Sequence, residues 1–397
     1  MNDLIQKINN LAHQFYPQAV EIRRHLHQYP ELSGQERQTA NYIAEHLSKM
    51  GIKPTKMLDD TAVIAEIRGE CGQAEQTIVL RADMDALPIE EKNNVEFVSK
   101  NKGVMHACGH DMHMANLLSA AYVLNHIKDS FDGRVLLIFQ PSEEMFPGGA
   151  FRLIESGVFD KFKIKAFLGC HATPEIPTGK IGLKSGNYMA STDELYLTIK
   201  GKGGHAAIPS MFINPLIITS EILLALEHFC EKFAPKDIPS VLTFGRIIGE
   251  GKTNVVPETV KIEGTLRTFD EQWRQQAYEK IREICNSIAE KRKGSVDIFI
   301  DKGYPVLIND DNLTKQCAMW AKHMIGENNV LSLDYRMTAE DFAHYSHRYP
   351  SVFFRLGTQI EGLHTNLHAA NFNANEEALK VGSSLMVFFA INLLANK

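Results

Sequence analysis

The chain has 397 residues, of which 44% are hydrophobic and 23% are charged, with 27 glycines and 15 prolines. This composition is typical of a soluble globular protein and lacks the biases of disordered or fibrous chains, and the length predicts two domains. The formal net charge of −6 and the lack of a long lysine and arginine run exclude an extended phosphate-binding surface, so nucleic acid is not an expected partner.

The N-terminus predicts no export or membrane anchoring. Residues 1–15 alternate polar and apolar side chains at helical spacing, without the charged and apolar regions of a signal peptide. No uninterrupted apolar run reaches the ~18 residues that span a bilayer, so no membrane partner is expected. The six cysteines are scattered without framework spacing, which suits a reducing compartment. We therefore expect a cytoplasmic protein.

The predicted elements between residues 17 and 184 alternate between helices and strands. Apolar side chains recur at helical spacing over 39–50 and 114–121. Short, nearly continuous apolar runs occupy 77–80, 135–139 and 166–168. Continuous apolar runs are what strands buried on both faces require, so this part predicts an α/β layer with a mainly parallel sheet and helices on both faces.

The next part of the chain has a different pattern, which indicates an inserted domain. Its predicted elements are a strand at 194–200, a helix at 214–232, strands at 241–248 and 259–269, a helix at 271–291 and a strand at 296–300. This βαββαβ order is the ferredoxin-like pattern, which closes into a small α+β domain.

After residue 310 the first pattern returns, with a helix at 319–325, a strand at 352–356 and a C-terminal helix at 375–395. We therefore predict a discontinuous catalytic domain formed by 1–187 and 304–397, and an inserted domain at 188–303.

Acids and a histidine follow three of the predicted strands. Asp83 and Asp85 follow the first, Glu143 and Glu144 the second, and His171 the third. Ligands of open parallel sheets bind outside the carboxyl ends of the strands, so these side chains are expected at one rim.

Two short motifs could serve hydrolysis, although each also has an ordinary structural interpretation. Cys108 and His110 lie in a loop directly before a helix, where a thiol loses its proton more readily, yet an isolated Cys-x-His is usually a buried cysteine beside a surface histidine. The Glu143 and Glu144 pair could be a solvated loop, but it follows a buried strand. One carboxylate could then bind a metal while the other accepts a proton.

Five of the 16 histidines lie in helical runs and are expected at the surface or in packing: His13, His46, His126, His228 and His323. His25 and His27 stay open, because His-x-His on a helix does not place both rings on one face.

Seven segments together resemble a known family. They read RRHLHQYPELSGQE, LRADMDALPIEE, MHACGHDMH, QPSEE, GGHAAIP, TAEDF and LHAANFNANEEAL. In order and spacing they resemble the aminoacylase and carboxypeptidase superfamily of metallopeptidases, in the amidohydrolase branch with hippurate hydrolases, indole-3-acetyl-amino-acid hydrolases and N-acetyldiaminopimelate deacetylases.

The resemblance implies two adjacent divalent metal ions per subunit. Their implied ligands are Cys108, His110, Glu144, His171 and His368, with Cys108 as the bridge. Thiolate and imidazole ligands favour zinc, while the carboxylate allows manganese, cobalt or nickel. Glu143 is then the general base and acid. His205, in the Gly-rich loop of the inserted domain, would stabilise the oxyanion, often across a dimer, which implies a homodimer through that domain. The alternative for His205 is a turn residue.

The chain departs from the family pattern at two places. Other branches carry a His-x-Asp metal motif where this chain has Asp83 and Asp85, so these aspartates are expected in a second layer that orients ligands. Relatives commonly have a proline where this chain has Ala370, so His364 competes with His368 as the last ligand.

The implied activity is hydrolysis of the amide bond of N-acyl amino acids, by attack of a hydroxide that bridges the metals. Asn254 and Arg267 could recognise the carboxylate of the leaving amino acid, although an arginine on such a strand is also commonly a solvated edge residue. The alternatives are a dipeptidase or carboxypeptidase with the same metals, and a metal-binding protein without catalysis. A serine hydrolase is disfavoured because no Gly-x-Ser-x-Gly elbow is present.

Overall fold

A computed structural model of the protein describes residues 2–395, which divide into two compact units. The first unit contains the described residues up to Gly186, Ile308–Asp334 and those from Asp341 onward. The second contains Asn187–Leu307 and Tyr335–Glu340.

The helices and strands follow one another in three stretches of chain. Up to residue 183 they are α1 (Asn2–Gln28), α2 (Arg37–Lys49), β1 (Pro54–Met57), β2 (Ala62–Arg68), β3 (Gln76–Asp83), α3 (His110–His126), β4 (Arg134–Gln140), α4 (Gly149–Glu155), β5 (Lys163–Pro177) and β6 (Ile181–Leu183). The next are β7 (Gly186–Met189), β8 (Asp193–Lys200), β9 (Gly204–His205), α5 (Pro215–Leu226), α6 (Phe229–Phe233), β10 (Ser240–Ile248), β11 (Val255–Val256), β12 (Thr259–Thr268), α7 (Glu271–Lys291) and β13 (Ser295–Lys302). The last are β14 (Leu307–Asn309), α8 (Asp311–Ile325), β15 (Val330–Ser332), α9 (Ala343–Ser346), β16 (Ser351–Gln359) and α10 (Ala378–Ala395).

The first unit is built on an eight-stranded sheet in the order β1-β2-β4-β3-β5-β16-β6-β15. Its central pairs, β4 with β3, β3 with β5, and β5 with β16, are parallel. Nearly every residue of β3, β4 and β16 is buried, which explains their continuous apolar sequences. The predicted α/β fold with a mainly parallel sheet flanked by helices is therefore confirmed.

Three helices form the main packing layer of this sheet. The helices α3 and α10 pack against β3 and β5, and α1 packs on α3 and α10. By length and composition α10 could cross a membrane, but most of it is buried in the core of the unit. Lys380, Ser383, Ser384 and Asn392 interrupt its apolar sequence without making the helix polar overall, so it is not an uninterrupted apolar run.

The second unit contains a four-stranded antiparallel sheet in the order β10-β12-β8-β13. Along β8 buried and more exposed residues alternate, so one face of the sheet is covered. The helices α5 and α7 pack on that face, around a core of Leu197, Ile222 and Ile281. The order of the elements around this sheet is the predicted βαββαβ, except that the single helix expected at 214–232 is two helices, α5 and α6. The short strands β9 and β11, which were not predicted, form a separate two-stranded pair.

The unit boundaries fall close to the predicted domain boundaries, with one difference. Tyr335–Glu340, which the sequence assigned to the catalytic domain, belongs to the second unit. There the backbone of Arg336 exchanges hydrogen bonds with Tyr188 and Ala190, at 2.8 and 3.0 Å. Such long-range backbone pairing leaves no mark on local composition.

Candidate metal centre

The carboxyl ends of three neighbouring strands bring the candidate residues together. Asp83 ends β3, Glu143 and Glu144 lie three and four residues after β4, and His171 lies within β5, which is longer than predicted. These strands are parallel, so their ends meet at one edge of the sheet. The helix α3 begins at His110.

Two groups of possible metal ligands share one sulfur atom. The first consists of Cys108, His110 and His171, and the second of Cys108, Glu144 and His368. Within each group the donor atoms all lie within 4.8 Å of one another. A thiolate common to two such groups is the arrangement expected of a ligand that bridges two cations.

The ring nitrogens of two histidines are oriented for metal binding. Nδ1 of His110 lies 2.8 Å from the carbonyl oxygen of Asp85, and Nδ1 of His171 lies 2.6 Å from that of Ala172. Each Nδ1 therefore faces a carbonyl oxygen that accepts its N–H, which leaves Nε2 as the nitrogen that could bind a cation, as in most histidine metal sites. Nε2 of His171 lies 3.3 Å from Sγ of Cys108, whereas Nε2 of His110 is buried and has no hydrogen-bond partner among residues 2–395.

His368 rather than His364 joins the cluster among the described residues. Its Nε2 lies 3.1 Å from Oε1 of Glu144, and its backbone has a φ of 62°, an uncommon left-handed conformation. His364 is exposed and contributes to none of the ligand groups. The carboxylate of Glu144 raises the pKa of His368, and burial opposes this effect.

Glu143 lies beside the cluster. It is buried, groups with His110 and Glu144, and accepts a hydrogen bond of 3.4 Å from the backbone N–H of Asp341 at Oε1. A carboxylate in this position can exchange protons with a molecule bound at the metals.

Burial and charge set the protonation of the ligands when no cation is bound. Burial, reinforced by Glu144 and Glu143, raises the pKa of the Cys108 thiol well above its usual range. Burial also lowers the pKa of His171 well below its ordinary value. For His110 burial acts in the same direction, but Asp83 and Asp85 outweigh it and raise the pKa to about 10. A bound cation would reverse the effect on the thiol, since metal coordination favours the thiolate.

The two aspartates expected in a second layer surround the ligands. Asp83 accepts hydrogen bonds from His113 at 2.5 Å and from Arg81 at 2.6 Å. Burial alone would raise the pKa of Asp83, but Arg81 and the neighbouring histidines hold it well below its usual range. Asp85 accepts the backbone N–H of Glu144 at 2.9 Å. Asp85 thus orients the candidate ligand Glu144, whereas Asp83 holds His113 and Arg81 beside the ligands.

Three residues of this layer were missed by the sequence analysis. His113 donates from Nδ1 to Asp83, and its Nε2 accepts the backbone N–H of Ala172 at 2.7 Å, so neither nitrogen is available for a metal. Arg81 also contacts Asp341, at 2.6 Å. His113 could have been found, because it follows His110 by one helical turn. The sequence near Asp341 gives no signal that it meets Arg81.

Gly109 explains how Cys108 and His110 can flank the start of α3. Its φ is 86°, and a Cβ at this position would lie 3.0 Å from Cβ of Ala172 and 3.3 Å from the Phe372 ring. Only glycine meets both the conformational and the spatial requirement.

The predicted oxyanion histidine lies in the second unit, next to one of the two proposed carboxylate-binding residues. His205 is exposed, and its Nδ1 accepts the backbone N–H of Ala207 at 3.1 Å. Its strand β9 pairs with β11, and the N–H of Ala206 donates to the carbonyl oxygen of Asn254 at 3.0 Å. His205 and Asn254 therefore belong to one small loop cluster.

Arg267 lies elsewhere in the second unit. Arg267 is on β12. The first residue of this strand, Thr259, pairs with Lys200, close in sequence to the His205 loop, and Arg267 lies eight residues beyond Thr259. At ~3.3 Å per residue this is about 26 Å along the strand. Burial lowers the pKa of its guanidinium, which lines a surface concavity with Glu194 and Arg246. Asn254 and Arg267, the two candidates for recognising the substrate carboxylate, therefore lie in different parts of the second unit.

His25 and His27 of α1, whose roles the sequence did not decide, contact other side chains outside the ligand groups. His25 stacks on Tyr42, with ring centroids 4.0 Å apart. His27 is buried between Asp111 and Glu91, at 2.8 and 3.0 Å. Neither belongs to a ligand group among the described residues.

The residues of the cluster fit a pair of divalent cations. A thiol, three imidazoles and a carboxylate are ligands typical of transition metals. The unsatisfied Nε2 of buried His110 is the independent sign, because a buried polar atom without a partner is costly unless a ligand completes it. At the carboxyl edge of an α/β sheet, such a cluster is typical of a dinuclear metallohydrolase.

Comparison with known proteins identifies the family. Residues 79–392 match peptidase family M20/M25/M40, and the chain belongs to this family. It is 39% identical over 380 residues to an N-acetyl-L-cysteine deacetylase of Bacillus subtilis (95% of this chain, 88% of the relative). It is 35% identical over 394 residues to thermostable carboxypeptidase 2 of Saccharolobus solfataricus (98% of both chains). The crystal structure of a dinuclear metal-binding M20 peptidase of Bacillus subtilis superposes with a TM-score of 0.84 at 32% identity, covering 97% of this chain and 100% of the other.

Proposed function

We propose that this protein hydrolyses the amide bond of N-acyl amino acids and releases a carboxylate and a free amino acid. The observation that carries the proposal is that two ligand groups share Cys108 while the carboxylate of Glu143 lies beside them. Similarity to a deacetylase of an N-acylated amino acid supports the choice of substrate class.

The residues of the chain divide the work as follows. Cys108, His110, Glu144, His171 and His368 would hold two divalent cations. Such cations supply an acidified water and a Lewis acid at the substrate carbonyl. Glu143 would accept a proton from the attacking water and return it to the departing amine. His205 would donate a hydrogen bond to the oxyanion. The sulfur and imidazole ligands favour zinc, and manganese, cobalt and nickel stay possible.

The second candidate, a carboxypeptidase or dipeptidase, is favoured by the similarity to a thermostable carboxypeptidase. Both reactions break an amide bond next to a free carboxylate, so they differ only in the acyl group. A panel of N-acetyl, N-benzoyl and N-aminoacyl derivatives of the same amino acid would separate them.

The deciding experiment measures kcat/KM on this panel for the purified protein, stripped of metal and then reloaded with Zn²⁺ or Mn²⁺. We expect hydrolysis of the N-acyl compounds only after metal addition, and at least about tenfold preference over the dipeptides. Preference for dipeptides would favour the peptidase, and lack of turnover with bound metal would favour the non-catalytic alternative. Replacing the substrate carboxylate by an amide tests Asn254 and Arg267, since equal rates would exclude a carboxylate clamp.

We further propose a homodimer formed through the second unit. Leu216, Ile217 and Leu224 of α5 are exposed, as is Ile247 on the edge strand β10. Large apolar side chains beside an open strand edge suit pairing with a second copy. Sedimentation of the wild-type protein and of Leu224→Glu tests this, with a dimer expected only for the former.

We also propose that the protein is cytoplasmic. It is supported by the six cysteines, all of which are free thiols. Fractionation of cells that express the tagged full-length chain would test it.

A further inference from the structure

The motif segment Leu32 to Glu36 lies outside the ligand set, yet one of its side chains contacts the loop that carries Glu143 and Glu144, and another is linked to that loop through Asp85. Ser33 donates its hydroxyl to Oδ2 of Asp85 at 2.6 Å. The same Oδ2 accepts the backbone N–H of Glu144 at 2.9 Å. Ser33 therefore reaches the ligand Glu144 through one shared carboxylate oxygen.

Glu36 contacts the other end of the same loop. Its Oε1 accepts the backbone N–H of Ser142 at 2.8 Å and lies 3.4 Å from the Ser142 hydroxyl. Glu36 is fully buried and stands at the start of α2, where it makes no side-chain cap for its own helix. A buried carboxylate is costly, so its orientation toward a loop 106 residues away needs a reason.

The conformation of Ser142 supplies that reason. Its φ is 56°, in the left-handed region that residues other than glycine rarely adopt. Such a conformation is strained and persists only where the surroundings hold it. The hydrogen bond to Glu36 holds the N–H side of Ser142, and the N–H of Gly149 donates to its carbonyl oxygen at 3.1 Å. Glu143 follows directly, so the φ of Ser142 helps to set where its carboxylate points.

We propose that Ser33 and Glu36 act as a clamp with two separable effects. Glu36 positions the proton-transferring Glu143 through Ser142, whereas Ser33 positions the metal ligand Glu144 through Asp85. This inference rests on the proposed function, because it assigns two positioning residues to that site.

The test compares Glu36→Ala and Ser33→Ala in the metal-loaded enzyme. Glu36→Ala is expected to lower kcat about 10- to 100-fold, with KM and metal content changed less than about threefold. Ser33→Ala is expected to weaken metal binding about tenfold or more, and to recover most of kcat when metal is in excess. Equal effects of the two variants on metal affinity and kcat would overturn the assignment of separate roles to Glu36 and Ser33.

Two further variants separate positioning from general damage. Glu36→Gln keeps an oxygen that can accept the Ser142 N–H, so it should retain most of kcat. Glycine adopts positive φ freely, so Ser142→Gly added to Glu36→Ala should restore kcat at least about fivefold. No restoration by glycine would overturn the role of the Ser142 conformation, even if Glu36→Ala alone is poorly folded.

Glu31→Ala is the matched control. Glu31 directly precedes the segment Leu32 to Glu36, and its Oε2 accepts the backbone N–H and the hydroxyl of Thr39, at 2.8 and 2.9 Å. The Glu31→Ala variant removes the same kind of hydrogen bond without affecting residues 142–144, so its kcat should stay within about twofold of the wild-type value. A loss equal to that of Glu36→Ala would overturn the clamp. Loss of activity in Glu143→Gln with normal kcat in Glu36→Ala would refute the clamp alone, whereas retained activity in Glu143→Gln would refute the proposed site.

Discussion

The backbone N–H of His368 donates to the carbonyl oxygen of Ala107 at 2.8 Å. This bond joins the C-terminal ligand loop to the residue directly before Cys108. It therefore fixes the distance between two candidate ligands that are 260 positions apart in the chain. It also gives a physical reason for the left-handed backbone of His368, since the residue is held from both its main chain and its ring.

The first prediction separates His368 from His364. His368→Ala removes an imidazole from the group with Cys108 and Glu144, so the affinity for one of the two cations should fall by more than about tenfold. Metal content after dialysis, measured by mass spectrometry, reports the change. His364→Ala is the control and should bind both metals as the wild type does. The reverse result would make His364 the ligand.

The second prediction concerns Glu143. Glu143→Gln keeps the size of the side chain and removes its ability to accept a proton, so kcat should fall by at least about 10²-fold while both metals stay bound. Steady-state kinetics and metal analysis on the same sample check this. Activity near the wild-type value would exclude Glu143 as the base.

How much of the site the sequence predicts depends on how far apart in the chain the contacting residues are. The runs at 77–80 and 135–139 identified β3 and β4, because strands buried on both faces must be apolar throughout. Their carboxyl ends then located Asp83, Glu143 and Glu144 at one rim. This reasoning is local and needs no knowledge of the partner segments.

The buried polar contacts around the site could not be predicted in the same way. Arg23 donates to Asp111 at 2.8 Å and to Glu376 at 3.2 Å, and these partners are 88 and 353 positions away. The sequence shows charged residues in a helix but not which buried carboxylates they meet. The same holds for Glu36 and Ser142. Periodicity indicates which face of an element is buried, whereas polar partners are decided by the tertiary fold.

The third prediction tests the requirement for glycine before α3. Gly109→Ala places a Cβ at 3.0 Å from Cβ of Ala172 and imposes a side chain on a φ of 86°. The conformation alone costs about 1 to 2 kcal/mol, and the close contact adds to it. We expect a lower free energy of unfolding in urea and weaker metal binding, since Cys108 and His110 flank the site. Gly179→Ala is the control, because a Cβ there meets nothing within 4 Å although its φ is also positive. It should share the conformational cost but retain its metals.

The fourth prediction follows from the ionisation of Glu36. Burial, with a further contribution from Asp85, raises the pKa of this carboxyl from 4.5 to about 7. A raised acid pKa means that the folded state binds the proton more tightly than the unfolded state. Its contribution to stability is then fully present below pH 4.5 and is lost as the pH rises through about 7.

The glutamine of Glu36→Gln cannot ionise, so this variant does not lose stability at this position as the pH rises. In metal-free protein, the free energy of unfolding of the wild type should therefore decline relative to that of the variant between pH 5 and pH 8. At ~1.36 kcal/mol per unit, the shift predicts a relative change of up to about 3 kcal/mol. Urea titrations at both pH values, with a chelator present, measure it. Parallel pH dependence of the two proteins would show that Glu36 is already ionised throughout this range, and that its bond to Ser142 is made by a charged acceptor.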